Sequence, residues 1–68
     1  MANIKMLKSV IDDSGMTMVS ISKKSGIRRE TLYNRLAGVG DFTASEIVGL
    51  ASALKMTKTE RDQIFLRK

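Results

Sequence analysis

The chain has 68 residues, a formal net charge of +5, and no cysteine, histidine or proline. This length predicts one domain spanning residues 1–68, with a core so small that stability is marginal. Without histidine and cysteine, the usual general base and the commonest metal ligands are missing, so neither an enzyme nor a bound cofactor or metal is expected.

The positive charge is concentrated in residues 17–40. The basic side chains there are Lys23, Lys24, Arg28, Arg29 and Arg35. Since Glu30 is the only acidic residue of this segment, its local charge is +4. A compact basic patch favours a polyanionic partner, because neutralising phosphates releases counterions. The alternative is a basic surface that is merely solvated.

Apolar runs in the sequence are short. Lys5 and Lys8 interrupt the first of them, and no later run approaches the roughly 20 residues of a membrane span. Neither a signal peptide nor a membrane anchor is therefore expected, and the predicted location is the cytoplasm.

Two short helices are predicted first. One spans residues 3–13, with Asn3 as its N-cap and Gly15 beyond its end. The next spans residues 18–25 between Thr17, an N-cap, and Gly26, a stop signal. The apolar or small residues assigned to the inner faces of these helices are Ile4, Leu7, Val10, Ile11, Val19, Ile21 and Ser22.

Three further helices follow. The third spans residues 29–37, ends at Gly38, and leads into a loop at residues 39–41. The fourth begins at the capping box Thr43-Ala44-Ser45-Glu46, and the fifth at a second box, Thr57-Lys58-Thr59-Glu60. The residues assigned to their inner faces are Leu32, Leu36, Ile47, Leu50, Ala51, Leu54, Ile64 and Phe65. Since no segment alternates as a strand does, the predicted fold class is all-α, with five helices.

Residues 17–36 read TMVSISKKSGIRRETLYNRL and predict two helices joined by a tight turn at Gly26. Glycine adopts the positive φ that such a turn needs, and the small Ser22 lets the helices approach. The pattern small-X-X-X-Gly-Ile-X-X-X-Thr-Leu-Tyr, followed by Leu-X-Gly, resembles the helix-turn-helix of phage Cro and CI repressors, the XRE-like family. The pattern also resembles that of Cro-like regulators from phages of Gram-positive hosts. The resemblance covers about residues 3–66 and implies a compact five-helix, lambda-repressor-like domain that binds operator DNA.

The same resemblance implies that the start of the third helix faces base edges. The residues it assigns there are Arg29, Glu30, Tyr33 and Asn34. Arg29 could contact guanine and Asn34 adenine, each with two hydrogen bonds. Glu30 could accept from cytosine, orient Arg29, or simply favour the helix N-terminus. Tyr33 could touch a thymine methyl or a phosphate, or cover the seam beside the second helix.

Phosphate contacts are expected around this face. The resemblance implies them for Thr17 and Met18 at the start of the second helix, and for the loop residues Gly38, Val39 and Gly40. Lys23 and Lys24 are further candidates, although a solvated face is the usual fate of such lysines.

Two positions depart from the family pattern. Arg28 replaces the Ser or Thr that usually caps the third helix, so Arg28 is expected to be free for phosphate. Arg35 replaces an apolar residue, so its stem could pack while its head reaches solvent, Glu46 or DNA, and it is counted among the candidate phosphate contacts.

The predicted function is that of a Cro-like repressor that binds double-stranded operator DNA and catalyses nothing. Because one such helix reads only a half-site, a weak homodimer formed on DNA is expected, through a patch assigned to Met56, Phe65 and Leu66. The alternative is an interaction module that binds and modulates a larger, cognate repressor.

Overall fold

Five α-helices form the structure, a computed structural model that describes residues 2–65. They are α1 (Ile4–Ser14), α2 (Met18–Ser25), α3 (Arg29–Leu36), α4 (Ala44–Ala53) and α5 (Lys58–Phe65). Residues 2–65 contain no β-strand. The predicted all-α class and the predicted order of five helices are therefore confirmed.

Polar side chains start four of the five helices. Asn3 Oδ1 accepts from the Met6 amide, and Thr17 Oγ1 accepts from the Ser20 amide, each at 3.1 Å. These bonds satisfy amides that have no acceptor within the helix, so both predicted N-caps are confirmed.

Both predicted capping boxes are present. Thr43 Oγ1 accepts from the Glu46 amide at 3.2 Å, while Glu46 Oε1 accepts from the Thr43 amide at 2.9 Å. Thr57 and Glu60 repeat the arrangement at 3.1 and 3.0 Å. These reciprocal pairs fix where α4 and α5 begin.

Each helix contributes one completely buried side chain to the core. These residues are Leu7, Ile21, Leu32, Leu50 and Ile64. The core cluster continues through Ile11, Ile27, Leu36 and Leu54. Since burying such a side chain stabilises the fold by roughly 1.5–3 kcal/mol, this shared cluster is what holds the five short helices together.

The prediction for Val19 is wrong. Its side chain is 43% exposed, whereas Ile21 is fully buried. The reason is helical geometry: the inner stripe of α2 runs at spacings of three and four from the partly buried Met18, and Val19 lies one residue off that stripe.

The two ends of the described chain meet. The Asn3 amide donates to the Ile64 carbonyl at 2.7 Å. The rings of Phe42 and Phe65 pack edge to face, with centroids 5.3 Å apart and planes at 74°. Phe65 and Met56 are partly buried against the core, so two residues of the predicted dimer patch also have packing roles. Leu66, the third, lies outside the described residues.

Helices α2 and α4 pack with backbone against backbone. A Cβ built on Gly49 would overlap the Ser25 carbonyl oxygen and lie 3.1 Å from the carbonyl carbon. Gly49 therefore lets the middle of α4 touch the backbone at the end of α2. No helix within residues 2–65 has the length and apolar character needed to cross a lipid bilayer.

Gly49→Ala should lower the free energy of unfolding by at least about 1 kcal/mol, because the added methyl meets backbone that can yield only if α2 and α4 separate. Helix propensity alone would give the opposite sign, a gain of about 1 kcal/mol. Urea denaturation followed by circular dichroism measures the change.

Ser52→Ala is the matched control, since Ser52 is exposed on the same helix. It should shift the unfolding free energy by less than about 0.5 kcal/mol. A Gly49→Ala protein more stable than the wild type would show that α2 and α4 are not in backbone contact.

Candidate nucleic-acid interface

The connection between α2 and α3 is three residues long and closely hydrogen-bonded. Gly26 takes a φ of +77° and donates its amide to the Ser22 carbonyl at 3.0 Å. The Ser22 hydroxyl donates to the Ile27 carbonyl, and the Ile27 amide donates to Ser25 Oγ at 3.3 Å. Ile27 itself is 95% buried in the core. These bonds fix the direction in which α3 leaves α2.

The start of α3 differs from the other helix starts. Arg28 is its N-cap residue and makes no side-chain capping bond, as its sequence position predicted. The Leu32 amide donates to the Arg28 carbonyl at 2.9 Å. The three amides before it, at residues 29–31, make no hydrogen bond to any residue of the described chain. These amides carry the positive end of the helix dipole.

The four predicted base-reading residues share the outer face of α3. Arg29, Glu30, Tyr33 and Asn34 are all exposed, and they span an arc of about 140° at 100° per residue. None of their side chains makes a hydrogen bond or ion pair to the described residues. Glu30 is thus not paired with Arg29, and all four polar groups are available to a partner.

Tyr33 is both exposed and placed beside an apolar groove. Its side chain is 55% exposed, yet it lines an open groove of about 400 Å³. The groove runs between α1, the start of α2 and the end of α3, over Ile11, Met18 and Leu36. The side chain therefore borders apolar residues of the groove while more than half of its surface stays accessible.

Of the predicted phosphate contacts at α2, Thr17, Lys23 and Lys24 are exposed, whereas the Met18 side chain is partly buried. Lys23 and Lys24 lie in its last turn, where cations are favoured by the helix dipole in any case. Thr17 Oγ1 is occupied by its capping bond. The amides of Met18 and Val19 make no hydrogen bond to residues 2–65, so they remain free to donate to an anion.

The loop after α3 has less donor capacity than the sequence suggested. The Gly38 amide donates to the Arg35 carbonyl at 3.1 Å, and the Val39 amide donates to the Asn34 carbonyl at 2.8 Å. Neither amide can also hold a phosphate without breaking these bonds. The Gly40 amide makes no such bond to the described chain, so of the three predicted loop residues it is the one whose amide is available.

Arg35 points away from the exposed face of α3. Its Nε lies 3.5 Å from Glu46 Oε1, an ion-pair distance without a directed hydrogen bond. Its Nη1 donates to the Val39 carbonyl at 3.2 Å. The sequence left solvent, Glu46 and DNA open as surroundings of the Arg35 head group. In the structure the head group lies beside Glu46.

Three features of this surface were missed by sequence reasoning. They are the Ser22 and Ser25 hydroxyl bonds across the turn, the Gly49 contact, and the engagement of the Val39 carbonyl by Arg35. Gly49 could have been noticed as a glycine inside an otherwise regular helix, which often marks a packing contact.

Comparison with known proteins adds no relative. No protein-family model, curated protein or solved structure matches this chain. The functional interpretation therefore depends on the chemistry of the surface that α2, α3 and the following loop present.

Ser22→Ala should lower the free energy of unfolding by about 1 kcal/mol, because the Ile27 carbonyl loses its hydroxyl donor while the smaller side chain still fits. Ser9→Ala, at an exposed position of α1, should change it by less than about 0.5 kcal/mol. Chemical denaturation of both variants measures the difference. Equal stabilities would mean that the hydroxyl does not support the turn.

Proposed function

We propose that this chain binds duplex operator DNA as a Cro-like regulator, through a helix-turn-helix made of α2 and α3. The observation that carries the proposal is the outer face of α3. Arg29, Glu30, Tyr33 and Asn34 are exposed there, their side chains make no hydrogen bond to residues 2–65, and the helix start lacks a side-chain cap. Such a helix start can enter a major groove about 12 Å wide.

The side chains on this face suit base edges. The Arg29 guanidinium can donate two hydrogen bonds to guanine, and the Asn34 amide can both donate to and accept from adenine. Glu30 can accept from the amino group of cytosine, and the exposed edge of Tyr33 can contact a thymine methyl. A face with this mixture of donors, acceptors and apolar surface can discriminate between sequences.

Phosphates on either side of the groove would hold this face in register. The free amides at Met18 and Val19 and the Gly40 amide are suitable neutral donors. The exposed Lys23, Lys24 and Arg28 supply positive charge. Contacts of this kind set position and affinity, whereas the base contacts set specificity.

Two copies would bind one operator. A single helix of this size reads only a half-site, which gives too little discrimination against the competing sites of a genome. Two copies related by a two-fold axis, about 34–36 Å apart, would read both halves on one face of the duplex. Met56, Phe65 and Leu66 remain the proposed contact between the copies, and occupation of the operator would repress transcription.

A second candidate is binding to a larger, cognate repressor, and the apolar groove favours it. The groove is lined by Ile11, Met18, Tyr33 and Leu36, with Lys8 and Asp12 also on its walls. A side chain of a partner protein could insert there. Arg29 and Asn34, whose side chains have no partner within residues 2–65, are not explained by such a protein, so DNA is the preferred ligand.

Arg29→Ala should weaken binding to the operator by about 1–3 kcal/mol and relax the preference at one base pair, because a bidentate base contact is lost. Gel shifts on duplex fragments that flank the protein's own gene, at two salt concentrations, identify the bound fragment and measure the loss.

Lys58→Ala is the matched control, because it removes one exposed positive charge from α5, away from α3. It should leave the base preference unchanged. An Arg29→Ala protein with wild-type affinity and base preference would refute base reading by Arg29. No binding to any duplex would refute the proposed function and favour the repressor-binding candidate.

The free protein should be largely monomeric at micromolar concentration and bind its operator as two copies. With a net charge of +5, two copies repel across a symmetric interface until DNA neutralises nearby charge. Sedimentation velocity of the protein with and without operator measures both states. A tight dimer without DNA, or a one-to-one complex on the full operator, would contradict this prediction.

A further inference from the structure

We propose that Arg35 and Glu46 are positioning residues, which hold the loop of residues 37–41 against α3 and do not themselves contact DNA. The DNA arm of this inference rests on the proposed function. The structural arm concerns the free protein alone and can be tested separately.

The Glu46 carboxylate has two partners. Its Oε1 accepts the Thr43 amide at 2.9 Å, which caps α4, and lies 3.5 Å from Arg35 Nε. The side chains of Arg35 and Glu46 are only 22% and 17% exposed, so bulk water screens this pair less than a fully exposed one. One carboxylate thus links the start of α4 to the end of α3.

Arg35 carries this link into the loop. Its Nη1 donates to the Val39 carbonyl at 3.2 Å, while the Val39 amide donates to the Asn34 carbonyl at 2.8 Å. Both backbone polar groups of Val39 are therefore held by α3, although the Val39 side chain is 59% exposed. The backbone of the loop is therefore fixed to α3 at Val39 by two hydrogen bonds, while the Val39 side chain stays on the surface.

The loop also fits closely around the guanidinium. A Cβ built on Gly40 would lie 2.6 Å from Arg35 Nη1, whereas one built on Gly38 would meet nothing within 4 Å. Gly40 therefore leaves the space that Arg35 occupies, and the Arg35 head group cannot move towards a phosphate without giving up Glu46 and Val39.

The position of Arg35 around α3 also separates it from the proposed base-reading residues. Arg35 lies about 100° further round the helix than Asn34, and so still further from Arg29 and Tyr33. It faces α4, whereas the proposed base-reading residues face outward. Its positive charge is also balanced locally by Glu46, which reduces its value for counterion release.

Removing the charge of Glu46 distinguishes a purely electrostatic role of the pair from a positioning role, because the two predict opposite changes in DNA affinity. Glu46→Gln keeps a capping residue at this position, since glutamine serves in capping boxes as glutamate does. If the pair only contributed charge, losing a negative group would strengthen binding to a polyanion. If the pair positions the loop, Glu46→Gln should instead weaken binding by up to about fivefold, because the ion pair that holds Arg35 loses one of its charges.

The experiment measures the affinity of wild type, Arg35→Gln, Glu46→Gln and the double variant for a short duplex at several salt concentrations. Both single variants should weaken binding, the double variant should lose less than the sum, and the salt slope should stay at the wild-type value. Arg28→Gln is the matched comparison, because loss of a phosphate contact should reduce the magnitude of the slope by about one unit. A reduced slope for Arg35→Gln together with tighter binding by Glu46→Gln would overturn the proposal.

Amide hydrogen exchange in the free protein supplies the second readout. Exchange at Val39 should accelerate in both single variants, while exchange at the distant Gly26 amide should not change. Unaltered exchange at Val39 would overturn the positioning role. If wild type binds no duplex, the proposed function fails, and exchange at Val39 still decides the role of Arg35 and Glu46.

Discussion

The contact between Gly49 and the Ser25 carbonyl is the constraint on which the rest of the structure depends. Because α4 has no side chain at that point, the end of α2 rests directly on its backbone. The turn that follows is then fixed by the Ser22 and Ser25 hydroxyls and by the buried Ile27. These local contacts together fix the direction of α3, and burial of the apolar core stabilises the fold in which they form.

Helix α3 is the candidate interface because its first amides and the side chains on its outer face make no hydrogen bonds to the described residues. In four helices an N-cap side chain accepts a hydrogen bond from an amide of the first turn, whereas the N-cap residue of α3, Arg28, makes no such bond. An uncapped helix start costs stability, of the order of 1 kcal/mol. In return, amides at the start of α3, in the most basic segment of the chain, stay free of bonds to the described residues, where the helix dipole would favour an anion.

Sequence reasoning succeeded where the signal is local. Thr43 with Glu46, and Thr57 with Glu60, predict helix starts because capping involves residues three apart. It failed for Val19, since the inner stripe of α2 depends on which side α4 covers. It left Arg35 open for a related reason: its partners become neighbours only when α3, the loop and α4 have packed. The exposed α3 face was predicted, and its use for DNA stays a proposal.

The central claim is that the outer face of α3 binds duplex DNA. Titrating isotopically labelled protein with an operator duplex, and following the amide chemical shifts by NMR, tests this claim most directly. The largest changes should fall on residues 28–34, the start of α2 and Gly40, while α5 should change only where a second copy touches it. Changes confined to the groove around Ile11 and Leu36, or no changes with any duplex, would contradict the account.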